Sequence, residues 1–269
     1  MRERSQNFDP RQVMQKETFE VFHYREPKPH AVEVHHHDFY EVYYLLNGQV
    51  EYWVDGRIIR MQPGDLLLMN PLELHRPMVD PESPVYERIV LWINKEYLES
   101  LFSEQMDLSR CFHTGQPNHI RPTPTQKSAL TAQISLLVRE YYSREIGSDL
   151  SACGIFLQLM VQLNRMALAE THQPEETGQL SEFMEKVLSY IGENLSQPLT
   201  LEGIAEVFFI SKYHLSHAFS KEVGVSVYRY ILLRRLTMAR QLLAAGEPAG
   251  QAKKGSTAAQ FAEWFNQSF

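Results

Sequence analysis

At 269 residues, with 43% hydrophobic residues and a formal net charge of −7, the chain is long enough and apolar enough for two ordinary globular domains. No apolar run is long enough to span a bilayer, and the charged N-terminus MRERSQNFDPRQ lacks the apolar core of a signal peptide. Two scattered cysteines, Cys111 and Cys153, make no disulfide framework, so a reducing, cytoplasmic location with no membrane partner is expected.

In chain order, residues from about 18 to 93 read as short strands. EVYYLL (41–46), VEYWVD (50–55), RIIRM (57–61), DLLLMN (65–70) and YERIVLWI (86–93) are rich in β-branched and aromatic residues. The pairs Asn47-Gly48, Asp55-Gly56, Pro63-Gly64 and Asn70-Pro71 separate them as turns. Many short strands at close spacing predict a barrel or jelly roll. Most of Tyr40, Tyr43, Tyr44, Tyr52, Trp53 and Trp92 are expected in its core, and aromatic faces there also stack on sugars and other planar ligands.

His35, His37, Glu41 and Tyr43 share strand parity, which predicts that they point to one face. His75 arrives after PGDLLLMNPLELH (63–75). Three His and one Glu suit a divalent transition metal with open coordination positions. The same side chains also suit a polar barrel mouth titrating near neutral pH, or the hydrogen-bonding groups of an organic-effector pocket. The run His35-x-His37-x3-Glu41-x6-Gly48 resembles the first motif of the cupin fold. Pro63-Gly64-Asp65 with Asn70-Pro71 and His75 resembles the second, although Pro63 and Gly64 are adjacent here. The resemblance covers about residues 30–80 and implies a barrel; in cupins that bind metal, these residue types are the ligands. The favoured reading is an effector pocket lined by His35, His37, Glu41, Tyr43 and His75, without a resident cofactor. Were a metal to bind there, its ligands would be His35, His37, Glu41 and His75.

From Lys95 the pattern turns helical. KEYLESLFSEQ (95–105) is one predicted helix, the Pro-rich QPNHIRPTPTQ (116–126) interrupts, and two long amphipathic helices follow over 127–145 and 149–170. In the last, Cys153, Phe156, Leu157, Met160, Leu163 and Ala167 form a stripe that Leu159 and Met166 widen. That stripe fits either a single buried face or two contacts, one on the barrel and one with a second subunit. The polar HQPEETGQ (172–179) reads as a linker.

In LSEFMEKVLSYIGENL (180–195), Met184, Val187, Leu188, Ile191 and Leu195 lie on one stripe. LTLEGIAEVFFISKYHLSHAFSKEVG (199–224) then reads as two short helices joined by a tight turn, with Thr200 and Ser211 as their N-caps. Leu201, Ile204, Ala205 and Phe208 share one side of the first; Leu215, Ala218, Phe219 and Glu222 fall together on the second, with Val223 close by. The opposite side carries Tyr213, Ser216, His217 and Ser220, flanked by Lys212 and Lys221. A helix so arranged fits the DNA major groove, and the spacing alone equally fits an ordinary helical hairpin in a bundle. A long helix with Arg229, Arg234, Arg235 and Arg240 follows.

The segments LTLEGIAEVFFISKYHLSHAFSKEVGVSVYRYI and RRLTMARQLL closely resemble the DNA-binding domain of AraC/XylS-type transcription regulators. That family joins two helix-turn-helix units by a long helix. Thr257, Phe261, Phe265 and Phe269 repeat the spacing of Ser211, Leu215, Phe219 and Val223, so STAAQFAEWFNQSF (256–269) reads as a second recognition helix, with Ala259, Ala262 and Glu263 on its reading face. It departs from the family pattern at Ser256, where an apolar residue is usual, and EPAGQAKKG (247–255) is too short and polar for a normal first helix.

Charge follows the same division. Residues 1–179 hold 17 basic and 25 acidic side chains, residues 180–269 hold 9 and 8, so a DNA-binding half must cluster its few cations toward phosphate. These observations predict a two-domain α+β chain: a cupin-like effector barrel with an N-terminal arm over 1–94, a helical dimerisation and connecting region over 95–171, a linker over 172–179, and an all-α helix-turn-helix domain over 180–269 with an atypical second unit. The function implied is a homodimeric regulator that binds double-stranded DNA, responds to a small-molecule effector such as a sugar, and by resemblance activates through the transcription machinery. The rival is a metal-dependent cupin enzyme with a helical appendage, but nothing beyond His35, His37, Glu41 and His75 suggests an acid, base or nucleophile.

Overall fold

Eight-residue strands with both faces apolar set the architecture. The computed structural model describes residues 13–27, 32–71, 73–80, 85–103, 106–113, 118–168 and 178–244. The second recognition helix over 256–269, with Thr257, Ala259, Phe261, Ala262, Glu263, Phe265 and Phe269, lies outside the described residues, as do residues 1–12 of the arm and 172–177 of the linker. Chain contacts divide the molecule into two units, residues 1–32 with 36–178, and residues 33–35 with 179–269.

In the first unit, β1 (Phe19–Glu26), β7 (Tyr86–Ile93), β2 (Tyr40–Asn47), β5 (Leu66–Met69) and β10 (Asn118–Ile120) are neighbours in one sheet, in that order. A second sheet runs β4 (Arg57–Met61), β3 (Val50–Val54), β6 (His75–Val79). These neighbours pair antiparallel, as strands joined by short loops do. The β3–β4 turn carries Asp55 and Gly56 at φ 42° and 97°, the positive values that a two-residue hairpin turn of this twist needs.

Strand alternation builds two cores. Tyr43 and Leu45 of β2 join Phe22, Tyr24, Tyr52, Val54, Ile59, Leu67, Tyr86, Val90 and Trp92 in an interior shared by both sheets. Tyr40, Val42 and Tyr44 point the other way, with Phe19, Val21, Leu66, Leu68, Ile89 and Leu91, onto α2 (Pro124–Tyr141) and α3 (Ser148–Ala167). Burial of each such large side chain contributes on the order of 1.5–3 kcal/mol. This is why β2 reads as a nearly unbroken apolar run rather than an alternating one.

Three sequence expectations need correction here. The strand carrying Glu41 starts at Tyr40, so His35 and His37 do not share it. His75 opens β6, a strand the turn signals did not separate out. The helix expected over 95–105 stops after α1 (Lys95–Ser100), and a small hairpin of β8 (Phe102–Ser103) and β9 (Met106–Asp107) replaces the rest. The Pro-rich segment ends inside a helix: Pro124 is the first residue of α2, with Thr123 and Gln126 forming a capping box.

On α3 the buried side is Ala152, Ile155, Phe156, Leu159, Met160, Leu163 and Asn164, whereas Leu157 is exposed. Leu159 therefore belongs to the first unit's own core. An open groove of about 750 Å³ between α2 and α3 carries Leu136, Leu157, Val161, Gln133, Gln158 and Arg165 among its lining.

In the second unit, α4 (Glu182–Glu193), α5 (Leu201–Val207), α6 (Lys212–Glu222) and α7 (Val227–Ala244) follow one another. Ser181, Thr200 and Ser211 cap α4, α5 and α6 by accepting from the backbone N–H three residues on. Leu215, Phe219 and Val223 are fully buried, and Met184, Val187 and Ile191 likewise. Gly224, at φ 86°, ends α6 in the left-handed conformation that favours glycine. Arg235 of α7 is buried too: its guanidinium donates to the carbonyls of Leu195 (2.9 Å) and Gln197 (2.7 Å) and so closes the end of α4.

Candidate functional site

The strand interior of the first unit contains two polar clusters. At the end where β2 begins and β7 ends, Nε2 of His37 lies 3.0 Å from Oε2 of Glu41, and the indole N–H of Trp92 donates to the same oxygen at 3.0 Å. His75 joins them, with the ligand atoms of all three residues within 4.8 Å of one another and all three side chains buried. His37 comes from the segment before β2, its ring stacked on Phe39 and held edge-on to His75 at 4.9 Å.

Backbone carbonyls fix both imidazoles. Nδ1 of His37 donates to the Phe39 carbonyl and Nδ1 of His75 to the Glu73 carbonyl, each at 2.8 Å. Burial drives the His37 pKa down to about 3, so the ring is neutral and its one N–H is spent on Phe39. Its Nε2 faces the Glu41 oxygen, a contact completed by a shared proton or by a cation. Two imidazoles oriented through Nδ1 beside a carboxylate fit a divalent transition metal. Burial also pushes the neighbouring Glu73 carboxyl up to about 7.

Of the five residues predicted for this site, the structure brings His37, Glu41 and His75 together. Tyr43 lies further along the interior, edge-on to Tyr52, with its hydroxyl 2.6 Å from that of Tyr86. Burial holds the phenols of Tyr43 and Tyr52 well above their ordinary pKa, so both remain neutral hydrogen-bonding groups. His35 does not join: its Nδ1 bonds the Glu33 carbonyl, and residues 33–35 group with the second unit.

The second cluster was missed from sequence. Arg88 Nη1 donates to Glu26 Oε2 at 2.6 Å, both side chains buried, and the guanidinium lies over the rings of Tyr24 and Tyr86. The signal was available in YERIVLWI: Arg88 has the parity of Tyr86, Val90 and Trp92, so an inward charge follows once the run is a strand.

In the second unit, the residues proposed to read DNA lie on one surface of α6. Lys212, Tyr213, His217, Ser220 and Lys221 are exposed and Ser216 is half-buried. Lys212 is engaged with Glu202 of α5 at 2.8 Å, a partner the sequence reading did not foresee. Phe209, in the turn before α6, was also missed; it stands at φ 54°.

Residues 18–160 match the model of the AraC-like ligand binding domain. The chain is 28% identical over 214 residues to the uncharacterized HTH-type transcriptional regulator YfiF of Bacillus subtilis, covering 78% of this chain and 66% of that protein. It is 23% identical to the HTH-type transcriptional activator RhaS of Salmonella schwarzengrund, over 79% of this chain and 74% of that one. The chain thus spans about two thirds to three quarters of these relatives' length. Among solved structures, the AraC-like transcriptional activator CuxR aligns at 19% identity and a TM-score of 0.38, covering 84% of this chain and 72% of that one.

Proposed function

This chain belongs to the AraC-like family, and on that footing we propose that it is a sequence-specific DNA-binding transcription regulator whose strand interior holds a small-molecule effector. The observation that carries the DNA half is α6: a helix capped by Ser211, buried through Leu215, Phe219 and Val223, with Tyr213, Ser216, His217 and Ser220 on its other side. The second helix of such a pair lies in the major groove, where His217 and its neighbours reach base edges and Lys221 meets phosphate. Lys212 reaches phosphate by exchanging Glu202 for the DNA backbone.

Wild type is expected to retain genomic fragments selectively. His217→Ala should weaken the selected site by about 1–3 kcal/mol and relax preference at one base pair, whereas Lys221→Ala should weaken all sequences alike and lower the salt slope by about one. A folded His217→Ala protein with unchanged affinity and preference would refute this register.

The effector half rests on an interior with aromatic walls and polar groups at both ends, a lining suited to a small hydroxylated molecule such as a sugar. The relatives named as regulators favour this reading over a metal-dependent enzyme. The carbonyl-fixed imidazoles of His37 and His75 favour one added element, a divalent metal held by these two and Glu41 as part of the sensor. Elemental analysis of the purified chain tests it: stoichiometric metal lost in His37→Ala supports it, and metal-free protein of unchanged fold removes it.

Dimerisation through α3, by which two effector-bound subunits address DNA and the transcription machinery, uses the exposed Leu136 and Leu157 rather than Leu159. Leu157→Glu should give monomers in sedimentation, since it places a charge in an apolar contact. A dimer of unchanged strength would exclude this face.

A further inference from the structure

The geometry points to Phe209 as a DNA contact that reads thymine methyl groups at the entry of the recognition helix, an inference that rests on the DNA-binding reading above. Phe209 occupies the turn between α5 and α6 at φ 54°, and its side chain is 95% exposed. The left-handed region penalises a residue with a Cβ, bulky ones most, and glycine would fill it without that cost. A ring left in water also returns no burial energy. The turn thus carries two penalties at once, and the folding of the unit recovers neither. Strain retained at a surface position where a smaller residue would relieve it marks a site used by a ligand.

The surroundings say which ligand. Phe209 lies two residues before the N-cap Ser211, at the start of the helix whose outward face carries Tyr213, Ser216, His217 and Ser220. Tyr213 is 77% exposed, and Val207 at the end of α5 is exposed as well. Exposed apolar side chains thus stand at the end of α5, in the turn and in the first turn of α6, next in sequence to the polar reading face. Lys212, between them, puts a cation beside the Tyr213 ring, 5.8 Å from its centroid. Residues at the N-terminus of a recognition helix are the ones that meet base edges. The apolar feature that the major groove offers there is the C5-methyl of thymine, which accepts contact from aromatic and small apolar side chains. Exposed apolar side chains with Lys212 beside Tyr213, at the start of a hydroxyl- and imidazole-bearing helix face, suit a methyl group at the edge of a phosphate-lined groove.

The test uses the full-length chain and a duplex selected by wild type from a random library, with binding read by fluorescence anisotropy. Phe209→Gly should raise the melting temperature, because the turn is relieved, and should weaken the duplex about tenfold; Phe209→Tyr should bind like wild type. Replacing thymidines of the selected site by deoxyuridine, one at a time, should reproduce the loss for wild type at one position and leave Phe209→Gly indifferent there. Unchanged duplex binding by Phe209→Gly overturns the inference and assigns these exposed side chains to a protein partner. A lowered melting temperature overturns it as well, since the ring would then serve the fold. If wild type selects no duplex at all, the DNA-binding reading itself has failed, which the other outcomes leave standing.

Discussion

The two units differ in the reach of the polar contacts that define their elements, although the helical unit has a buried long-range set, Arg235 on the Leu195 and Gln197 carbonyls. In the strand unit the decisive contacts join residues far apart in the chain: Glu41 to Trp92, Glu26 to Arg88, Asp65 to His119. In the helical unit the contacts that define the elements are local, each cap reaching three residues ahead from Ser181, Thr200 and Ser211. A local contact leaves a spacing in the sequence. A contact across a sheet leaves only a parity, and parity has meaning once the strand's first residue is known. The difference also separates risk: breaking a long-range buried pair strands a charge, whereas deleting a cap exposes one N–H to water.

The largest test of this contrast is Arg88. Its guanidinium and the Glu26 carboxylate are both buried, and removing one partner leaves the other charged and unpaired. Arg88→Ala should destabilise the strand unit by about 3–5 kcal/mol in urea unfolding. The double variant Glu26→Leu with Arg88→Met should recover most of that, because an apolar pair carries no desolvation cost. Were Arg88→Ala nearly silent, the pair would be solvated, and the contrast between the units would lose its energetic basis.

What the sequence made legible follows the same line. The caps Thr200 and Ser211, the buried Leu215 and Phe219, and the exposed Tyr213 and His217 were all readable, because helical period and capping are properties of short windows. The strands over 41–46, 50–55, 57–61, 65–70 and 86–93 were readable from composition and turns, to within a residue or so at their ends. The site was readable in part. His37, Glu41 and His75 converge, but not by the parity that suggested it: His37 enters from a segment that bonds to Phe39. His35, two residues earlier, bonds to Glu33, and nothing in its spacing revealed that. The inward parity of Arg88 was in the letters, but its pairing with Glu26 was not, because the two meet only when β1 and β7 pair. Pro124 shows an error of another kind, since the Thr123…Gln126 capping box was present in the letters and the prolines were given more weight.

A middle-sized test belongs to the helical unit. Ser211 accepts from the His214 N–H at 3.1 Å and has no other part in the proposed reading face. Ser211→Ala should cost about 1 kcal/mol, read as faster amide exchange across α6, and Ser211→Asp should restore protection by keeping an acceptor at the helix N-terminus. If Ser211→Ala spread its effect to the strand unit, the locality claimed for these contacts would be wrong.

The smallest effect at neutral pH concerns Asp65, and it sharpens the comparison by adding pH. This buried carboxylate joins the start of β5 to β10 and the residue after it, accepting from His119 Nε2 at 2.9 Å, from Arg121 Nη2 at 2.9 Å and from the Gln62 N–H at 2.8 Å. Burial alone would raise its pKa, but the hydrogen bonds from His119 and Arg121 outweigh burial and hold the carboxyl below its ordinary range. The sign follows from proton counting. With the folded pKa below the unfolded value of about 3.9, the unfolded chain binds more protons in the window between them, so stability rises with pH there. The contribution is complete above about pH 5 and is lost as pH falls through the folded pKa. Urea midpoints measured from pH 2 to 6 should therefore fall toward acid more steeply in wild type than in Asp65→Asn, which has no proton to gain at this position. No corresponding difference should arise from the caps of the helical unit, because Ser181, Thr200 and Ser211 do not titrate. Parallel midpoint curves for wild type and Asp65→Asn would mean that His119 and Arg121 do not hold this carboxylate charged, and that the long-range bonds of the strand unit are less tightly made than their distances imply.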